Sequence, residues 1–222
     1  MPVKRFSKGE AVRYGWGKMR ENLGFFIGLI IVATLISFFF SGFAGLFDKR
    51  LPSLSLIFNI GSFIFSIFIE IVFIKATLNI CDGDRAHMDD SLFFSLPLFF
   101  KFLLASVLYS LIVTVGFLLL IVPGIYFMIK YQFVLYLIVD KNMDVAQAFS
   151  MSSQITNGVK WQLFFFDLLI GIIILAGFLF FGVGIFAALP TALVAVAYVY
   201  RKLSSGAVSD TGSPFQAPAP VS

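Results

Sequence analysis

From Leu23 to Phe47 the chain runs without a charged side chain, and nearly all of it is Phe, Leu, Ile, Val, Ala and Gly. A helix needs about 20 mostly apolar residues to cross about 30 Å of hydrocarbon, so this block alone is long enough to span a membrane. Five more blocks follow. Leu54 to Ile80 is interrupted by Glu70 and Lys75, and Leu98 to Val122 carries only Lys101. Ile125 to Val139 contains Lys130, Trp161 to Phe181 contains Asp167, and Ile185 to Tyr200 has no charge. The spacing predicts an all-α polytopic membrane protein: six transmembrane helices in three hairpins, each preceded by a short interfacial amphipathic helix.

Composition agrees with that reading. Of 222 residues, 59% are apolar, 13% are charged and 30 are Phe. Soluble domains carry about 45–50% apolar and about 25% charged residues. The mean hydropathy of +0.98 points the same way. A water-soluble enzyme and a disordered chain are both excluded. The single Cys rules out an intrachain disulfide framework and a cysteine zinc cluster, and the single His rules out a His-rich metal site. No cofactor is expected.

Three regions follow: a cytoplasmic amphipathic helix over 1–22, a transmembrane domain over 23–203 and a disordered cytoplasmic tail over 204–222, rich in Ser, Gly, Ala and Pro. The apolar run from Leu23 is too long for a signal-peptide core, so it reads as an uncleaved first span. Lys4, Arg5, Lys8, Arg13, Lys18 and Arg20 precede it. With that end inside, Arg85, Lys141, Lys160, Arg201 and Lys202 are inside too, and only Lys49 and Arg50 fall in an outer loop. The positive-inside bias therefore predicts a multi-pass protein of the inner (cytoplasmic) membrane with both termini cytoplasmic. The net charge of +4 is a topology signal, and nucleic acid is not an expected partner.

Ser7 and Glu10 have the spacing of a capping box, followed by Val12, Trp16, Met19 and Leu23 on one helical stripe. Asp144 and Gln147 repeat the cap ahead of Val145, Ala148, Phe149, Ser152 and Ile155, and Gly158 supplies a stop. The segment Arg85 to Leu96 is a less regular third example. These helices are expected along the headgroup layer, with the bilayer as partner and Trp16 and Trp161 as interface anchors. Gly116-Phe117-Leu118 and Gly177-Phe178-Leu179 stand in register before turns at Pro123-Gly124 and Gly184, which suggests a repeated hairpin.

Charges within spans are the candidate intramembrane polar site: Glu70, Lys130, Lys75 and Asp167. Counting about 1.5 Å per residue puts Glu70 and Lys130 roughly 15 Å from the inner surface and Lys75 and Asp167 about 9 Å deep. Matched depths suggest the pairs Glu70–Lys130 and Lys75–Asp167. The acidic stretch from Asp82 to Asp90 lacks the spacing of a calcium loop and reads as a solvated loop. Ser150, Ser152 and Ser153 lack a nucleophile elbow, and Ser152 and Thr156 read as hydroxyls bonding backbone. Thr34, Ser37, Ser106, Ser110 and Thr114, with Gly24, Gly28, Gly171 and Gly177, read as close-packing positions between helices. The Phe residues read as lipid-facing bulk.

Ile121-Val122-Pro123-Gly124-Ile125-Tyr126 resembles the turn of a group of uncharacterised prokaryotic integral membrane proteins, the YciC-like and DUF975-like proteins. The membrane domain fused to some glycerophosphodiester phosphodiesterases is similar. Val139-Asp140, the run Ala148-Phe149 through Ser152, Ile155-Thr156 and Gly158 to Trp161, and Tyr14-Gly15-Trp16 resemble further segments of that group. The resemblance reaches to about Lys202 and implies a six-helix membrane domain with no established reaction; nothing in the chain resembles the phosphodiesterase domain.

The expected function is non-enzymatic: a membrane-organising, partner-binding or envelope-maintenance component, binding other membrane proteins or itself. The alternative is a small transporter or lipid-handling permease using Glu70, Lys130 and Asp167.

Overall fold

A computed structural model describes residues 6–47, 51–83, 95–179 and 184–210. Every element among them is a helix: α1 (Lys8–Glu21), α2 (Leu23–Phe47), α3 (Pro52–Asp82), α4 (Leu96–Leu119), α5 (Ile121–Tyr131), α6 (Val134–Lys141), α7 (Val145–Ile155), α8 (Lys160–Leu179) and α9 (Ile185–Asp210). Six stretches are long and apolar enough to cross a membrane: α2, α3, α4, α5 with α6, α8, and α9 to Ser205. The chain is a polytopic all-α membrane protein. Lys4, Arg5, Lys49, Arg50, Gly182, Val183 and most of the acidic loop and middle amphipathic segment lie outside the described residues. So do residues 211–222, whereas 204–210, expected in the tail, continue α9.

α1 begins as its sequence demands. The Glu10 backbone N–H donates to the Ser7 hydroxyl, which caps the helix, and Asn22 closes the far end on the Lys18 carbonyl. Its buried stripe is Ala11, Gly15 and Met19, against α9. Trp16, expected on that stripe with Val12, Met19 and Leu23, is exposed instead. Gly15 explains the shift: without a side chain it lets α1 close on the Thr191 carbonyl and Ala195, so small residues, not large ones, line the contact.

α2 and α3 form a long hairpin zipped by rings. Phe43 and Phe47 pack on Phe58, with centroids 5.3 and 6.1 Å apart, and Phe40 meets Phe65. Together with fully buried Phe26, Phe102, Phe133 and Phe166, this corrects the reading of Phe as lipid-facing bulk. The main core gathers Ile67, Ile71, Phe102, Leu137, Phe166 and Tyr200 from α3, α4, α6, α8 and α9, with Phe133 from the residues between α5 and α6.

The α4–α5 turn falls at Leu120, in extended backbone, three residues before the expected Pro123. Pro123 and Gly124 belong to the first turns of α5, where proline's missing N–H would have no partner anyway. Gly124 is there for closeness: a Cβ on it would stand 2.5 Å from the Phe117 ring, and one on Gly116 2.9 Å from the Gly124 Cα. Gly177 and Gly184 meet in the same way at the α8–α9 turn, where a Cβ on Gly177 would stand 2.9 Å from the Gly184 carbonyl. The two hairpins thus share a glycine-on-glycine crossing. Gly24, Gly28 and Gly171, by contrast, have nothing within 4 Å of a Cβ position, and Thr34, Ser37, Ser110 and Thr114 are exposed, so these do not mediate packing within the chain.

The fourth span is broken between α5 and α6 at Gln132–Phe133. No proline or glycine causes it. The Lys130 carbonyl, which an unbroken helix would bond to residue 134, instead accepts from the Ser152 hydroxyl at 3.0 Å and the Thr156 hydroxyl at 3.2 Å. Side chains inserted into the ladder are a recognised cause of such kinks. α7 therefore doubles back along α6, and its stripe of Ala148, Ser152 and Ile155 packs on protein. The expected headgroup-facing stripe is a core face.

Candidate functional site: an ion-paired collar and an aromatic groove

The ends of α3, α6 and α9 meet in one charged cluster. Arg201 donates to Asp140 at 2.7 Å and to Asp82 at 2.6 Å, and the Tyr200 hydroxyl donates to the other Asp140 oxygen at 2.6 Å. Asp140 is mostly enclosed, at 11% side-chain exposure, so the fork of Arg201 is its counter-charge. Next to it, Glu10 of α1 accepts from the Tyr198 hydroxyl at 2.6 Å and from Lys202 at 3.3 Å, which ties α1 to α9. The Tyr198 hydroxyl, then Lys202, hold the Glu10 carboxyl below the usual carboxylate range. Tyr14 stacks on Tyr198 with centroids 4.5 Å apart and donates to the Cys81 carbonyl; burial pushes its hydroxyl up to about 12. Lys101 pairs with Asp144 at 2.9 Å and donates to the Asn142 carbonyl, so Asp144 stands at the N-cap position of α7 while its carboxylate serves α4.

From the sequence, Asp82 reads as a loop charge, Glu10 as a cap residue and Arg201 as a topology charge, while Asp140 carries only a family resemblance and Tyr198 falls within the last apolar block. Asp82, Asp140, Tyr198 and Arg201 each sit within a few residues of a span end, but their partners, and that of Glu10, are 60 or more residues away.

The intramembrane charges expected to pair do not form those pairs. Glu70 lies on the exposed side of α3 and Asp167 on α8, in electrostatic range of Tyr136 and Tyr109 respectively. Neither carries an ion pair among the described residues. Lys130 turns to rings, its ammonium 4.9 Å from the Tyr131 centroid and 5.9 Å from that of Tyr126. Lys75, half-buried on α3, has interactions of its own. Equal depth leaves the direction around the helix axis undetermined, and these four residues stand on α3, α5 and α8 facing different ways.

Lys160, at the start of α8, donates to the Tyr126 hydroxyl at 3.0 Å and lies 4.6 Å from its ring centroid. Beside these groups α5 and α8 enclose a groove of about 470 Å³ walled by Val122, Ile125, Ile129 and Phe164, with Trp161 at its edge. Trp16 and Trp161 are both exposed. Among the described residues no cluster of three or more His, Cys, Asp or Glu side chains is arranged to hold a metal. No family model, curated protein or solved structure matches the chain.

Proposed function

We propose that this membrane protein is a non-enzymatic, partner-binding component of a cytoplasmic membrane with both termini inside, and that the α2–α3 hairpin is its contact arm. The supporting observation is the contrast between the two halves of the bundle. Glu10, Asp82, Asp140 and Asp144 are engaged in ion pairs that hold helix ends together. Only 6% of the most apolar window of α2 is buried, and Asn59, Ser66 and Glu70 lie on the exposed side of α3 at helical spacing.

Asn59 and Ser66 donate within α3, to the Ser55 and Phe63 carbonyls, so Glu70 carries the larger demand: lipid tails offer it no hydrogen bonds, and a carboxylate in hydrocarbon costs several kcal/mol. A second copy of α3 supplies both donors and acceptors, because an amide, a hydroxyl and a carboxyl are mutually complementary. Kinship with the YciC-like and DUF975-like membrane proteins belongs to the same proposal and brings no reaction with it. A lipid-handling permease is the second reading, favoured by the groove that Lys160 lines.

Förster transfer between differently labelled copies in liposomes tests the contact. It should rise with protein-to-lipid ratio, survive Glu70→Gln and weaken about 5–30-fold in apparent association for Glu70→Leu, as expected for about 1–2 kcal/mol of interhelical hydrogen bonding. Transfer at the level of random encounters for the unaltered protein would end the homotypic reading.

A further inference from the structure

We propose that the groove between α5 and the start of α8 holds an anionic glycerophospholipid, its phosphate between the Lys130 and Lys160 ammoniums and one acyl chain along Val122, Ile125, Ile129 and Phe164. This goes beyond the α3 contact and does not depend on it.

Three observations carry the site. First, the groove is a built cavity of about 470 Å³, inside the range of about 300–1,000 Å³ typical of small-molecule sites, and its wall is almost wholly apolar. Second, two ammoniums approach the ring of one groove-lining tyrosine: Lys160, itself in the groove wall, is 4.6 Å from the Tyr126 centroid, and Lys130, next to the lining Ile129, is 5.9 Å from it. Third, neither ammonium has a carboxylate within ion-pair distance among the described residues. Two like charges brought together beside a membrane-spanning helix call for an anion, and ring faces offset only part of that demand.

The fold brings the two lysines together by an indirect route. Lys130 and Lys160 are 30 residues apart, separated by α6 and α7. Because Ser152 and Thr156 fasten the end of α7 to the Lys130 carbonyl, the turn before α8 comes back beside α5. Gly158, with φ of 79°, takes the left-handed conformation in that turn and also lines the groove. A cationic rim on an apolar trough matches the two parts of an anionic amphiphile. Basic pockets between membrane helices bind lipid phosphates by the same physics. A free phosphate would use the lysines and leave the trough empty; a zwitterionic lipid would use the trough with less gain from the lysines.

Trp161 lies at the groove, so its emission reports occupancy. The full chain with Trp16→Phe, in detergent micelles, leaves it as the sole tryptophan. Titration with phosphatidylglycerol brominated on its acyl chains should quench Trp161 at concentrations at least about tenfold lower than brominated phosphatidylcholine. Lys130→Gln and Lys160→Gln should each weaken the anionic lipid about fivefold and leave the zwitterionic one unchanged. Lys130→Arg with Lys160→Arg should keep the preference, which separates lost charge from lost fold. Equal quenching by both lipids, or glutamine variants that retain the preference, would overturn the site. Displacement of the brominated lipid by millimolar inorganic phosphate would also overturn it, because the trough would then contribute nothing.

Discussion

Gly15 faces the Thr191 carbonyl so closely that a Cβ would stand 2.5 Å from its oxygen and 3.1 Å from the Ala195 Cβ. Both neighbours belong to the α9 backbone or its shortest side chain, so neither can swing aside. Gly15→Ala should therefore destabilise the protein by about 1–3 kcal/mol, the cost of overpacking. Gly17, two residues on, has nothing within 4 Å of its Cβ position. There the same substitution should be neutral or stabilising by up to about 1 kcal/mol from helix propensity. Thermal unfolding of the two variants in one detergent makes the comparison. Nothing in the composition of α1 separates these glycines; only the partner helix does, which is why the stripe of large residues drawn through Trp16 missed the real contact.

Elements in this bundle are set by where hydrogen bonds go once apolar length has made the spans. The fourth block was legible as a crossing, and the bonding of Ser152 and Thr156 to backbone was legible as well. That the carbonyl is Lys130's was not, because a hydroxyl's partner across 22 or 26 residues leaves no periodic trace. Removing both hydroxyls, Ser152→Ala with Thr156→Ala, should leave that carbonyl unsatisfied and cost about 1–3 kcal/mol, while either alone costs about 1 kcal/mol or less because the other hydroxyl remains. Chemical unfolding in mixed micelles measures both. The seating of α1 on α9 carries a pH signature. Glu10 is held below its ordinary value by the Tyr198 hydroxyl and Lys202, so its contribution is present above the unfolded carboxylate range. It is lost as pH falls through the lowered folded value. Protection of the α1 amides, taken relative to their intrinsic exchange rates at each pH, should fall on acidification through that window, and Glu10→Gln should flatten the profile.

Across the whole molecule, charge placement and helix order give one topology. In a six-crossing chain the ends of α3, α6 and α9 and the start of α4 fall on one side, and the pairs Asp82–Arg201, Asp140–Arg201 and Lys101–Asp144 join those ends. The number of crossings was legible because hydrophobic length is a local property. Lateral arrangement was not, because depth along a helix says nothing about the direction a side chain faces, as Glu70 and Lys130 illustrate. With Cys81→Ser as background, Ser7→Cys supplies one exposed thiol ahead of α1. An impermeant maleimide should label it in inverted vesicles and leave it unmodified in intact cells; the reverse pattern would invert the orientation.

α1 leaves the ribosome first among these helices, and the surface it sits on, α9, is made last. Until that final segment is threaded, Asp82 and Asp140 lack their shared guanidinium and Gly15 has no backbone to lie against. The fold is thus closed by a clasp whose two halves are synthesised at opposite times. A nascent chain halted before α9 would hold an unseated leading helix and two uncompensated acids.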